Sequence, residues 1–508
     1  MIITNNDMVI TEALTALRDY VYPPHCERQA ATRFIFVGPA LLLILHSGLL
    51  FHPPRRGPSW LIRNNAQAMR VALAIPIVIY CSHVALAFHS GDINLLGYTG
   101  QSTNFVVAIF GLQAVFKALE IAVLTERPRL AHSDERQEGS SDAQSAGSAT
   151  STPGNARPPH PFFFPHTWIP LFVDYAGSLR GPGWEWGVPS LAGYGMPKGK
   201  SPPRTRKDPA TVAFLKARLL TLLLCCATID LVDNIASLPA TYASFDAYPS
   251  VLAPVNPLKA VPAYRRATVQ AALVLFIGAG VVAPIQGGFA LMSLISTLIS
   301  PQTQTWWDPL PFNNPLHATS LQRLWAIHWH ALFRRTWYVF GYLPTAKITQ
   351  KLGLSKPASR DVAVFAVFLL SGLFHEIGQH GMRRSSALDL RTGDFLDRTL
   401  LRDESGQCYP LNDATKGFGA QGFALTRFFL SQAVGLALEK YYTRWTGRGV
   451  SGWQGRIWTA AFVGLTGRAA FASSIQHGFM EGIAGTKTTR SLANGLVQLL
   501  LRYAGGVQ

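Results

Sequence analysis

The chain predicts an all-α, polytopic membrane protein, and three observations carry that fold class. Hydrophobic residues make up 48% of its 508 residues and charged residues only 14%, well below the roughly 25% charged residues usual in soluble domains. Apolar runs of spanning length, about 17–25 residues, recur along most of the chain. The net charge of +17 gathers in the connections between those runs, as the bias of basic residues to cytosolic loops and their attraction to anionic lipid require. The basic residues form no compact stripe interleaved with aromatics, so nucleic acid is not an expected partner.

The runs are Phe34–Phe51, Val71–Phe88, Phe105–Leu124, Ala213–Val232, Ala267–Ile299, Val362–Gln379, Gly417–Leu438 and Ile457–Gln476. A shorter one, Leu492–Leu501, is buried or interfacial, which gives about 8–9 transmembrane helices at one span per run. Ala267–Ile299 is too long for one straight span and contains Pro284 and Gly287-Gly288. It is one kinked, tilted helix or two short ones.

Charge placement orients the spans. Arg55, Arg56, Arg63 and Arg70 follow the first run and put that loop in the cytosol. The loop from His89 to Asn104 carries no Lys or Arg and falls on the far side. The next connection holds Arg127, Arg129, Lys198, Lys200, Arg204, Arg206 and Lys207, and is cytosolic. Asn234–Val261 is poor in basic residues and fits the far side. Reading Ala267–Ile299 as a single passage puts Arg334 and Arg335 in the cytosol, as their charge prefers, and leaves the mixed-charge loop Arg383–Lys416 outside.

The expected organisation is a non-spanning N-terminal segment (1–33), the first transmembrane helices (34–124), a cytosolic segment (125–212) and a catalytic transmembrane region (213–508). Residues 132–161 are rich in Ser, Gly, Ala and Pro without an apolar period and are expected to be disordered. Five scattered cysteines form neither a disulfide framework nor a metal-ligand spacing. No removable signal peptide is evident, and the first apolar run is expected to do the targeting.

His375 is the most informative residue. It lies inside Val362–Ile377, which reads as a membrane helix. Ionisable groups at that depth are costly and by default mark function. Histidine can enter as the neutral ring, the form a general base needs. A packing or pore-lining histidine is the alternative on spacing alone. A zinc-protease reading fails, because His375 and His380 are five residues apart and the HExxH pattern needs four. His380 reads as an interfacial polar residue.

The run Ser320–Arg335 carries Trp325, His328, Trp329 and His330 at helical spacing, with Arg334 and Arg335 at one end. By pattern it is an amphipathic interfacial helix. In the functional alternative the histidines and arginines face a cytosolic mouth, with the arginines meeting the phosphates of a charged donor. Arg180-Gly-Pro-Gly-Trp184-Glu-Trp186-Gly is a turn whose tryptophans fit a membrane-interface anchor. Lys117 and Glu120 share one helix face, Asp230 and Asp233 another, and Arg427 and Arg468 sit in later runs. Pairing inside the bundle or lining a polar cavity are the two accounts of these charges.

Three of these motifs in order are similar to the signature of wax synthase-like proteins, a branch of the membrane-bound O-acyltransferases. They are Arg180-Gly-x-Gly-Trp184, the run Pro311–Trp325 leading to Trp329-His330, and Leu369-Leu-Ser-Gly-Leu-Phe-His-Glu376. The set also resembles fungal acetyltransferases that modify terpenoids and other secondary metabolites. The resemblance implies helices around a central chamber and transfer of an acyl group, acetyl in the fungal branch, from CoA to a hydroxyl of a lipophilic, terpenoid-like molecule. His375 matches the catalytic histidine and His330 the second motif position. Acyl-CoA is a cosubstrate, expected at Trp325, Trp329, Arg334 and Arg335, with no tightly bound cofactor and no metal. The lipid bilayer and a lipophilic alcohol are the other partners, and the endoplasmic reticulum the expected membrane. Ala326-Ile327-His328 stands where the family often has Gly-Arg-Arg between the tryptophans, which removes two cations near the donor. Long-chain wax ester synthesis and, in another class, membrane transport are the alternatives.

Overall fold

The computed structural model describes residues 5–23, 34–51, 59–89, 101–125, 171–179, 205–245, 261–301, 310–382, 422–476 and 489–504, with short pieces at 29–30, 128, 181, 184, 258, 307, 387–388, 395–396, 401–402, 408–409 and 479. The stretch 132–161 and residues Arg180 and Trp186 lie outside them.

The described part of each apolar run of the sequence lies largely on a helix. The helices are α1 (Asn5–Val21), α2 (Val37–Phe51), α3 (Ser59–Leu86), α4 (Gln101–Val123), α5 (Leu171–Gly177), α6 (Pro209–Ser237), α7 (Ala263–Ile299), α8 (Lys356–Met382), α9 (Ala424–Thr446), α10 (Gly452–Gln476) and α11 (Arg490–Ala504). The strands among the described residues are two-residue pairs, so the fold is all-α. Among the described residues five helical stretches, against the 8–9 expected, are long and apolar enough to cross a membrane: Ala66–Leu86, Thr103–Val123, Pro209–Ala236, Ala263–Ile299 and Lys356–Gln379. α2 is apolar but 15 residues long. α7 runs unbroken through Pro284 for 37 residues, about 55 Å at 1.5 Å per residue. That exceeds the ~30 Å hydrocarbon thickness and requires tilt or protrusion.

Neighbour follows neighbour through the bundle. α3 packs on α4, α4 on α8, α8 on α9, α9 on α10, α10 on α7, α7 on α6, and α11 closes over α6 and α7. The α6–α7–α11 core is built from Ile235, Leu273, Ile277, Val497 and Leu501. The outward faces are equally apolar, with Leu219, Leu220, Leu223 and Leu224 of α6 exposed. An apolar shell around an apolar core is the pattern of a protein solvated by lipid.

Between α7 and α8 the chain breaks into short pieces that fill the centre. Leu321–Arg323 opens a helix that widens into a π-turn, Leu324–His328, closed by the Trp329 N–H donating to the Leu324 carbonyl at 2.7 Å. A second π-turn, Tyr338–Tyr342, links the helical turns Arg334–Trp337 and Leu343–Lys351. Such turns occur frequently at functional sites. The segment is tied to α7 by Gln286, whose amide donates to the Phe312 carbonyl and accepts from the Phe312 N–H, both at 3.1 Å.

The contact of α8 with α9 is set by Gly372. A Cβ there would lie 2.7 Å from the Thr426 Cα, and the atom it meets is backbone. Gly372→Val is expected to force the helices apart and destabilise the protein by about 1–3 kcal/mol, as overpacking of this kind does, read as a lower melting temperature in detergent. An unchanged melting temperature would show that the interface has room to give.

Candidate active site

His375 stands on α8 between α4 and α9. Its Nδ1 lies 2.7 Å from the carbonyl of Ser371, one helical turn back. A carbonyl only accepts, so Nδ1 carries a proton. In the neutral ring the lone pair is then on Nε2, which has no hydrogen-bond partner among the described residues. The second histidine, His330, follows the first π-turn. Burial, and then the nearby His375, push its ring down to about 3, so His330 is neutral at ordinary pH. Its Nδ1 is sealed from solvent without a partner.

A closed circuit of aromatic rings joins the two histidines. On one side, centroid to centroid, His330 meets Phe333 at 5.8 Å, Phe333 meets Phe374 at 5.3 Å and Phe374 meets His375 at 5.7 Å. On the other, His330 meets Trp329 at 5.7 Å, Trp329 meets Trp325 at 5.4 Å, Trp325 meets Phe429 at 6.0 Å and Phe429 meets His375 at 4.6 Å. Phe105 of α4 adds a further ring, 6.4 Å from His375. The two imidazoles therefore belong to one apolar cluster of aromatic rings. Packing of this kind strengthens the electrostatic interactions within it.

Two buried carboxylates fix the elements that carry these rings. Glu376 points to the start of α9, where Phe423 has a left-handed backbone (φ 54°) and no side chain of that helix caps it. Glu376 Oε2 accepts from the Leu425 and Thr426 N–H groups at 3.1 Å and from the Thr426 hydroxyl at 3.3 Å. These donors are orphaned at any helix start, and an acceptor there also meets the positive end of the helix dipole. Glu439, farther along α9, serves the start of the His330 segment in the same way. It accepts from the Leu321 N–H at 2.7 Å, the Gln322 N–H at 3.0 Å and the Trp458 indole N–H at 3.0 Å. Ser320 completes that cap by accepting from the Arg323 N–H at 3.0 Å. His328 bonds the Asn313 carbonyl through Nδ1–H and anchors the segment, with its Nε2 buried and without a partner.

The arginines divide. Arg334 is exposed. Arg335 reaches α4 instead, with Nε 2.7 Å from Glu120 Oε1. Glu120 also pairs with Lys117 at 3.4 Å and accepts from the Tyr175 hydroxyl at 3.0 Å, while Lys117 sits 3.7 Å over the Tyr175 ring. Burial and Glu120 push the Tyr175 hydroxyl up, which keeps it a donor. Of the two accounts of Lys117 and Glu120, pairing inside the bundle is the observed one. Trp184 corrects the anchor expected of its motif: it is buried against Tyr175 and Phe51, 5.5 and 6.0 Å between centroids, because α2 and α5 fold over the Glu120 cluster. The side chain of His380 lies outside the described residues, and its neighbour Gln379 bonds Ser473 and Ser474 of α10. Arg468 leans on Gln270 of α7, and Asp230 accepts from Thr489.

The segment that holds both histidines, the π-turns and the arginine pair is also where the chain is similar to known proteins. Residues 307–396 match the membrane bound O-acyl transferase family. The match to this family covers the region in which the sequence motifs placed His330 and His375. Two curated relatives are 28% identical to the chain. An "O-Mevalon transferase yanI" of Aspergillus niger aligns over 239 residues, 44% of this chain and 48% of its own length. A "Probable long-chain-alcohol O-fatty-acyltransferase 6" of Arabidopsis thaliana aligns over 194 residues, 37% of this chain and 45% of its own. The chain thus matches about half the length of these relatives.

Missing from the sequence reading were Glu376 and Glu439 as caps, Gln286 as a tie and Phe429 as the ring against His375. Glu120 offers a direct test of the electrostatics. Glu120→Ala leaves Lys117 and Arg335 at a mostly buried site without their shared counter-charge, and breaking such a group costs about 3–5 kcal/mol. Thermal unfolding in detergent should show a correspondingly large loss. A change within ~0.5 kcal/mol, the range of ordinary surface substitutions, would contradict the pairing.

Proposed function

We propose that the chain is an integral membrane O-acyltransferase, acting in the endoplasmic reticulum, that moves an acyl group from acyl-CoA to the hydroxyl of a lipophilic small molecule. The observation that carries this reading is the commitment of His375 Nδ1 to Ser371, with Nε2 unpartnered in a cluster of aromatic rings beside a second, neutral histidine. The family match and the transferase names of both relatives support it.

In this reading Nε2 of His375 accepts the proton of the acceptor hydroxyl as its oxygen bonds to the thioester carbon. The carbonyl π-electrons move to oxygen and a tetrahedral oxyanion forms. The oxyanion collapses, the C–S bond breaks, and the thiolate takes the proton from the His375 imidazolium to leave as free CoA. His330 supplies the complementary group. A sealed N–H without an acceptor is costlier than a sealed lone pair, so its proton belongs on Nε2, where it can donate to the developing oxyanion. General-base assistance of this kind contributes about 10²–10⁴-fold in rate, and an oxyanion donor about 10²–10³-fold. Arg334, exposed beside the site, is the better placed of the two arginines for the donor's phosphates, since Arg335 already serves Glu120. Trp325 and Trp329 would line the donor's path.

The crowding of Phe105, Phe374 and Phe429 around His375 suits a short acyl group, acetyl in our reading, and an apolar acceptor such as a terpenoid-like alcohol. The plant relative's name favours the alternative of a fatty acyl group and a long-chain alcohol. Free thiol release by the purified chain, with acetyl-CoA and long-chain acyl-CoA against a panel of alcohols, separates the two. His375→Ala is expected to abolish that release to within the factors above, and His330→Ala to lower it less. Near-normal turnover by His375→Ala at unchanged expression would overturn the assignment of the base.

A further inference from the structure

The segment that carries the second histidine starts on a carboxylate from far along the chain. His330 sits at the end of a segment whose start is held by Glu439 through two backbone N–H groups. Its opening helix is only three residues, too short to be stable alone. The π-turn that follows carries Trp325, and then come Trp329 and His330, so a shift at residue 321 is passed along a short, stiff path to both rings and the imidazole. The packing under Glu439 is equally close. Gly435, one turn earlier on α9, faces Leu321, and a Cβ at Gly435 would collide with the Leu321 side chain. Trp458 of α10 holds Glu439 from the opposite side.

We propose that Glu439 is a positioning residue for acyl transfer: by accepting the Leu321 and Gln322 N–H groups it sets where His330 stands against His375. The proposal rests on the reading of the pair as the reacting site. It differs from general support of the fold because Glu439 would act through one residue. In Glu439→Gln the amide NH₂ replaces one acceptor oxygen and meets a backbone N–H or the indole N–H, donor against donor. The segment start must then move. A displacement of about 1 Å in a positioned group can cost 10²-fold in rate.

A double-mutant cycle on the full-length protein tests it, with turnover counted per mole of folded, monodisperse enzyme. Glu439→Gln should lower kcat by about 10²-fold, with a smaller effect on the KM for acyl-CoA. In a His330→Ala background the same substitution should change kcat less than about twofold, because coupled residues are non-additive. Equal kcat in Glu439→Gln and wild type, or a loss of the same factor in both backgrounds, would overturn the proposal. A second measurement does not need activity. The rate of His330 modification by diethyl pyrocarbonate, read by peptide mass spectrometry, should change in Glu439→Gln while that of His317, an exposed histidine in the loop before the segment, does not. An unchanged His330 rate overturns the positioning role even if the wild type releases no CoA, an outcome that would separately defeat the acyl-transfer reading. If Glu439→Gln does not fold, Trp458→Phe removes a single donor to Glu439, and a kcat and His330 rate both equal to wild type would count against the proposal.

Discussion

The hydrogen bond from His375 Nδ1 to the Ser371 carbonyl governs how the centre of this protein is arranged. It meets the polar demand of an imidazole inside an apolar helix without drawing in a second charged group. It selects the tautomer, since a ring tied at Nδ1 keeps its lone pair at Nε2. It also orients the ring, because donor and acceptor sit one turn apart on a rigid helix. Phe374 precedes His375 on α8, Phe429 comes from α9 and Phe105 from α4, so rings from three helices pack around the imidazole.

Helix starts are the second recurring constraint. The first N–H groups of a helix need acceptors, and in a bundle surrounded by lipid water is not available to supply them. Here α9 begins on Glu376 and the His330 segment begins on Glu439. Each carboxylate comes from a neighbouring element, so each cap is also a joint. α8 is fastened to α9, and α9 to the segment that carries His330. The two histidines are thereby built into one frame. The Glu120 cluster does the same at the other side, joining α4, α5 and the turn after His330.

The helical elements were legible from the sequence because lipid solvation demands long apolar runs, and the described parts of those runs lie largely on helices, five stretches of them long and apolar enough to span. The single-helix reading of Ala267–Ile299 held despite Pro284, since α7 continues through it. His375 was legible because a polar ring in an apolar run has a stated cost. The two carboxylate caps were not. Glu376 meets its donors 49 and 50 residues away and Glu439 its backbone donors 118 and 117 residues away, and no local pattern encodes such pairs. In the sequence Glu376 reads as half of a failed zinc motif. The same distance hid the partner of Arg335, which lies 215 residues away at Glu120, so a basic pair at a helix end read as a phosphate contact on both residues. Trp184 misread as an interface anchor for a related reason: its Gly-Pro turn is local, and the Tyr175 ring that buries it is not.

The central claim is that Nε2 of His375 is the atom that meets the acceptor hydroxyl. The most direct measurement is a cryo-electron microscopy structure of the protein with a non-transferable ketone analogue of acyl-CoA, in which a methylene separates the sulfur from the carbonyl, and a turnover-competent alcohol. The account predicts the alcohol oxygen within hydrogen-bond distance of Nε2, Nδ1 still on the Ser371 carbonyl, and the carbonyl of the analogue turned towards His330. An alcohol bound away from His375, or a ring flipped so that Nδ1 faces the ligand, would contradict it.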